Sequence, residues 1–302
     1  MLKFFLKKIY YFLPSSIKRI LLDSFFYLSS TRKGAINIRK IDFLKCNDSA
    51  VILGNGPSLN SDREEIKQLV NNNDFVCVNN FCDDELYVLL KPTLYVFLDA
   101  YFFSENAHDT WISRREKTFK VLSEDTTWAM NIIVPQSANL EIIQRGIKND
   151  KIKITKINTQ SLFTSKLTAF QNWLFDLGFY GPPQINVLIY GIYIPVVAGY
   201  KKIRFYGADL SFHNDVQVDQ NSNDLYIEYK HFNEKNTTEL LKKNPEKAES
   251  WKMAELMKLT SDTFFAHEII NSYALKKGVY IENSSSYSLI DAYPRTEKSN
   301  IK

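Results

Sequence analysis

A doubly wound α/β fold with a mostly parallel sheet is the class this 302-residue sequence predicts, on three observations. Short uninterrupted apolar runs recur through the chain, the pattern of strands covered on both faces. Stretches of helical length separate them, as in successive βαβ units. The first clear run, Val51-Ile52-Leu53, breaks into Gly54-Asn55-Gly56-Pro57-Ser58-Leu59 ahead of a helix, and such sheets bind ligands beyond strand ends of this kind.

Residues 1–45 read as an arm attached to that sheet. Met1 to Ser30 mix Phe4, Phe5, Ile9, Phe12, Leu21 and Phe25 with Lys3, Lys7, Lys8, Lys18 and Arg19 around Pro14, which predicts two short amphipathic helices. Such an arm suits an anionic membrane surface, or a dock on the protein's own core or on a second subunit, as in a homo-oligomer. Ten Lys or Arg against two Asp give residues 1–45 a net charge of +8, so the remainder carries −4 within a total of +4. No run reaches the roughly 18 apolar residues of a spanning helix, and no secretory cleavage pattern follows the start. Thr31 to Asn47 reads as a basic connection into the body.

Residues 46–302 read as one nucleotide-binding domain. Its expected strands are Ala50 to Leu53, Phe75 to Asn79, Leu94 to Asp99, Asn131 to Pro135, Ile152 to Ile157, Ile203 to Tyr206 and Val279 to Glu282. Helices are expected near Arg63 to Val70, Thr110 to Phe119, Leu140 to Ile147, Ser165 to Leu177, Val187 to Ala198, and Thr238 through Lys276 with a break. Ser61-Asp62-Arg63-Glu64 has the form of a capping box for the first of these.

The turn after the first strand has the outline of an anion site. Two glycines permit close backbone approach, and free N–H groups near Gly56 and Ser58 would face a phosphate. It matches neither the dinucleotide fingerprint nor the P-loop. Three further strand ends carry polar residues where a crevice would lie: Asn79 with Asn80, Asp99, and Asp209. Each alone is an ordinary turn former or cap; together they outline a site.

Residues 211–250 are polar and follow directly on a strand end, which fits a mobile lid over a substrate. Within it His231 is the best general acid or base in the chain, with His213 second. Cys46, Cys77 and Cys82 follow no metal spacing and read as reduced cytoplasmic thiols, and the four histidines give no zinc signature. The acidic body offers no basic groove for nucleic acid.

These residues, in this order, resemble a known group. The Gly54 to Leu59 turn, Asn79, Asp99, Asn186-Val187 opening an apolar helix, the block from Ala198 through Gly199-Tyr200-Lys201-Lys202-Ile203 to Asp209, and the late Gly278 to Asn283 and Ser288 to Asp291 resemble the bacterial sialyltransferases of glycosyltransferase family 42. They are similar also to the motility accessory factor glycosyltransferases and to polysaccharide biosynthesis proteins.

That resemblance implies a Rossmann-like domain and an inverting, metal-independent transfer of a sugar, such as a nonulosonic acid, from a CMP-linked donor. The acceptor would be a glycan of surface polysaccharide or lipooligosaccharide, made at the inner face of the cytoplasmic membrane. It implies donor contacts from Asn55, Gly56, Ser58, Asn79, Asp99, Asn186, Asp209 and Ser211, and His231 as the base that deprotonates the acceptor hydroxyl. No cofactor is expected, although an acidic strand end such as Asp209 is also a common place for Mg²⁺.

The chain departs from the family pattern at Gln184 and Val187, where an Arg and a Ser are expected, and at Ser211, in place of a Tyr. Two other readings stay open: a pterin pyrophosphokinase-like enzyme using ATP and Mg²⁺, whose motifs are similar, and a non-catalytic nucleotide-binding scaffold.

Overall fold

The computed structural model describes residues 13–164, 166–229, 237–241 and 250–296. Its strands begin with Ile36–Asn37 (β1), Ser49–Leu53 (β2), Asp74–Val78 (β3), Leu94–Val96 (β4), Met130–Pro135 (β5) and Ile152–Asn158 (β6). Gln160–Ser161 (β7) and Tyr180–Gly181 (β8) pair as a short ribbon, followed by Lys202–Tyr206 (β9). Val216–Val218 (β10), Leu225–Tyr229 (β11) and Thr237–Leu240 (β12) form a separate sheet, and Tyr280–Asn283 (β13) returns to the first.

The main sheet is eight-stranded, with order β1-β6-β5-β4-β3-β2-β9-β13. Every pairing in it is parallel. From β2 the chain builds outward through β3, β4, β5 and β6, then crosses back to lay β9 on the other side of β2. The strand order therefore reverses between β2 and β9, where parallel α/β sheets open a crevice at the carboxyl ends of their strands.

Helices cover both faces: Ser15–Arg32 (α1), Leu59–Lys67 (α2), Leu86–Leu90 (α3), Asp109–Asp125 (α4), Leu140–Gly146 (α5), Ala169–Asp176 (α6), Val187–Val197 (α7) and Met253–Lys276 (α8). Strand alternation sorts the core into two layers. Ala50, Ile52, Val76 and Val78 face α7 and α8, whereas Val51, Leu53, Phe75 and Cys77 face α2 to α5. Each such aliphatic side chain, fully buried, contributes roughly 1.5–3 kcal/mol. Helix α7 is apolar around its whole circumference, being enclosed by the sheet and α8. A Cβ on its Gly191 would sit 3.2 Å from both Ile52 and Val78, so the missing side chain lets the helix ride directly on β2 and β3.

Several expectations are corrected. The α2 capping box does not form: the helix starts at Leu59, and Ser58 has helical dihedrals and no side-chain cap bond. Asp62 instead accepts the amide of Ser286 at 2.8 Å. The expected helix from Thr238 is strand β12 at its start, with α8 beginning at Met253. Among the described residues of 211–250, a three-stranded antiparallel meander stands where a loop was expected, its register fixed by Val216 against Ile227 and Ile227 against Glu239. The basic connection is built into the body. Ile36 and Asn37 pair with Ile157 and Asn158, and Ala35, Ile38 and Ile41 are buried.

Of the two helices expected in the arm, the first falls on residues 1–12, outside the described residues; the second is α1. Helix α1 lies against the end of β6. Asn158 Nδ2 donates to Tyr27 O at 2.6 Å and to Thr31 Oγ1 at 2.7 Å, and Tyr180 OH donates to Asp23 at 2.8 Å.

Candidate functional site

Two turns build the crevice, one after β2 and one after β9, and backbone bonds hold them together. Gly54 N donates to Tyr206 O at 2.9 Å and Gly56 N to Gly207 O at 2.8 Å. A Cβ on Gly54 would lie 2.4 Å from Gly207 O, and one on Gly56 would lie 2.1 Å from Asp209 Oδ1. The glycines are thus required by the contact of one turn with the other.

Asp209 closes that contact. Ser58 Oγ donates to its Oδ1 at 2.5 Å and Ser58 N to its Oδ2 at 3.1 Å. Burial raises the Asp209 carboxyl above its ordinary value, and the Ser58 bonds pull it back down. The N–H groups of Gly56 and Ser58, expected to be free for a phosphate, are therefore taken by Gly207 and Asp209. Pro57 has none to give. Asn55 keeps capacity to bond a ligand through its side chain.

Asn55 Nδ2 donates to Val78 O at 3.3 Å, while its Oδ1 is buried without a partner. Asn79, at φ 47°, is held in the left-handed region that Asn tolerates better than most residues. Tyr95 OH donates to its carbonyl at 2.6 Å, and its Nδ2 donates to Asp99 Oδ2 at 2.7 Å. Its Oδ1 is also buried without a partner. Each such acceptor costs about 1–3 kcal/mol, and both residues line the same cavity.

Asp99 keeps solvent contact at the rim. Protein packed around it nevertheless raises its carboxyl to about 6, with Arg114 opposing the shift.

The cavity between these elements has a volume of about 270 Å³. Asn55, Gly56, Asn79, Asn186, Asp209 and Ser211, all expected from sequence, line it together. Ser58 stands behind Asp209, and Asp99 reaches the cavity through Asn79. Asn186 spends its Oδ1 on capping α7, accepting from Leu188 N at 2.8 Å. Val187 lines the cavity, while Gln184 is tied back to Thr159 and Tyr190, each at 3.3 Å. Phe212, ahead of the meander, and Ile227 and Glu228 on its strand β11 also line the cavity.

His231 lies outside the described residues. His213 packs between the rings of Phe212 and Phe264 and is not among the residues lining the cavity. His267 is a core residue bonded to Tyr293, and burial lowers it to about 3, so it stays neutral. His108 caps α4.

Sequence reasoning missed Asp215 and Glu228, which also line the cavity. The alternation of Leu225 and Ile227 in a polar stretch was the available signal for the strand that carries Glu228. Arg114 was missed because its effect on Asp99 comes from a different element, α4, and leaves no local pattern. Among the described residues, no group of three or more His, Cys, Asp or Glu could hold a metal ion.

The model of the family described as Alpha-2,3-sialyltransferase (CST-I) matches residues 48–283. No curated protein matches the chain. Among solved structures, the MAf glycosyltransferase from Magnetospirillum magneticum AMB-1 is similar at 12% identity with a TM-score of 0.47. That likeness covers 85% of this chain and 35% of the other, so the chain spans about a third of that protein's length.

Proposed function

We infer the activity from one premise: this chain belongs to the alpha-2,3-sialyltransferase (CST-I) family and is a glycosyltransferase. The proposal is that it transfers an acidic sugar from a CMP-linked donor to a hydroxyl of a glycan acceptor, with inversion at the anomeric carbon. The donor's nucleotide would occupy the crevice between β2 and β9, and His231 would accept the proton of the attacking hydroxyl. The bond from the anomeric carbon to the phosphate breaks as the bond to the acceptor oxygen forms, and CMP leaves.

One observation carries the nucleotide part of the reading. Asn55 and Asn79 each hold a buried side-chain oxygen without a partner on a cavity at the reversal point of a parallel sheet. Ribose hydroxyls and an exocyclic amine are the donors a cytidine nucleotide brings to such acceptors. Asp209 has a supporting role in this scheme: bonded to Ser58, it fixes the spacing of the two turns and leaves the phosphate to other donors.

A thermal-shift screen with CMP, CDP, UDP, GDP and ATP, each with and without Mg²⁺, tests the proposal. Selective stabilisation by CMP without metal is expected. Stabilisation by ATP with Mg²⁺ alone would overturn it in favour of a diphosphate-transferring enzyme.

A further inference from the structure

Helix α1 is amphipathic the wrong way round for a helix that ends at water. It is held to the body by polar groups four residues apart: Asp23, Tyr27 and Thr31. Its buried residue is Asp23, which also accepts from Arg19 Nε at 2.9 Å. The apolar side chains point away from the protein. Phe25 is 67% exposed, Leu28 61% and Phe26 54%, with Leu21 and Leu22 beside them.

A second exposed apolar group lies on α6, which ends where α1 docks. Asn37, bonded to Tyr27, also reaches Leu177 O at 2.9 Å, and Tyr27 packs on Phe179 with ring centroids 5.1 Å apart. On α6, Phe170 and Trp173 stack with centroids 5.7 Å apart and are both about half exposed, and Phe163 just ahead of the helix is equally open.

We propose that the outer faces of α1 and α6 form one docking surface for an anionic lipid bilayer, with α1 lying in the plane of the interface and the Phe170–Trp173 pair at headgroup depth. Charge selects this occupant. Residues 1–45 carry a net +8 while the rest of the chain carries −4. An isologous contact with a second copy would bring two such arms face to face, whereas anionic headgroups neutralise one. Aromatic side chains with a basic fringe are the composition of helices that lie in an interface. Among the described residues no helix is long and apolar enough to cross a membrane. This surface is distinct from the cavity at the β2–β9 reversal, and the proposal is independent of the donor's identity.

The test is co-sedimentation of the full-length protein with vesicles of phosphatidylcholine alone and of phosphatidylcholine mixed with phosphatidylglycerol. Binding to the anionic vesicles is expected, roughly tenfold or more above the neutral ones, and reduced by salt. The double variant Phe25→Ser/Phe26→Ser, and separately Trp173→Ser, should each weaken it by about tenfold, with the melting temperature unchanged without vesicles. Should the double variant not fold, Leu28→Glu makes the same test at a single exposed position. Equal binding to neutral vesicles, no binding, or retention by all variants would overturn the proposal. So would a dimer in light scattering that the same substitutions dissociate without any effect on vesicles. Nucleotide-dependent thermal shifts should be the same in these variants, which separates a failure here from a failure of the donor reading.

Discussion

Asp209 accepts both the hydroxyl and the amide of Ser58, at 2.5 and 3.1 Å, and this pair joins the turn after β2 to the turn after β9 across 151 residues of sequence. The two turns form the floor of the cavity, so the pair sets its width. Ser58→Ala removes the hydroxyl from a buried carboxylate and should cost about 1–3 kcal/mol of stability. Urea unfolding measures it. Nucleotide affinity should fall as well, since the turns lose their fixed spacing; a variant of unchanged stability and affinity would remove the pair from the account.

Gly56→Ala tests the same junction by crowding. The added methyl would meet the Asp209 carboxylate and the Gly207 carbonyl, one of them backbone. Overpacking of this kind costs about 1–3 kcal/mol. Gly199→Ala is the control, because Gly199 sits at φ +76° with open space around it. Its cost is conformational only, about 1 kcal/mol. Thermal melts should rank Gly56→Ala well below Gly199→Ala in nucleotide binding, the control keeping its affinity.

The sheet was legible because its strands are buried on both faces and read as continuous apolar runs; all seven expected strands are found, with no end shifted by more than three residues. Edge strand β1 was hidden, since Ile36 and Asn37 sit among basic residues and pair over two positions only. The Ser58–Asp209 pair had no local signal, and the expected capping box at Ser61 fails because the helix starts two residues earlier, at Leu59, which puts Ser61 inside its first turn. The polarity of residues 211–250 masked a meander whose apolar side is small: Leu225 and Ile227, packed with Leu241 and with Leu256 of α8.

Asp99 makes the site pH-dependent. Its carboxyl titrates at about 6 against an ordinary 3.8. A carboxyl raised on folding favours the folded state fully below the unfolded value and loses that contribution as pH rises through the folded one. Wild type should therefore lose some stability between pH 3.8 and about 6 that Asp99→Asn retains. Nucleotide binding should run the other way. Ionised Asp99 holds Asn79 Nδ2 at 2.7 Å, so affinity should weaken as pH drops below about 6. Calorimetric titration across pH 5 to 8, in roughly half-unit steps, follows a range a carboxyl so shifted can reach. A profile identical in Asp99→Asn would assign it to another group.

His231→Ala should lower turnover by about a hundredfold or more, the usual worth of a positioned general base, while CMP-dependent thermal stabilisation persists. His213→Ala serves beside it, since His213 packs on Phe212 and Phe264 outside the cavity lining. If His213→Ala abolished turnover and His231→Ala did not, the base would have to be reassigned.

The two unpartnered oxygens on the cavity are either a ligand's contacts or a cost the fold carries for other reasons, and Asn79 separates these. At φ 47° its backbone suits glycine better than any residue with a Cβ. Asn79→Gly therefore removes the side chain without straining the chain, and it also removes a buried acceptor that has no partner in the free protein. The lost bond to Asp99 and the relieved acceptor oppose each other, so stability should change by less than about 1 kcal/mol. Asn79→Ala keeps the strain and should be less stable than Asn79→Gly. If the oxygen serves a nucleotide, both variants should bind CMP about tenfold more weakly, the worth of one hydrogen bond of about 1.4 kcal/mol. Unchanged affinity in Asn79→Gly would mean that the oxygen is orphaned by the geometry of the strand end and meets no ligand.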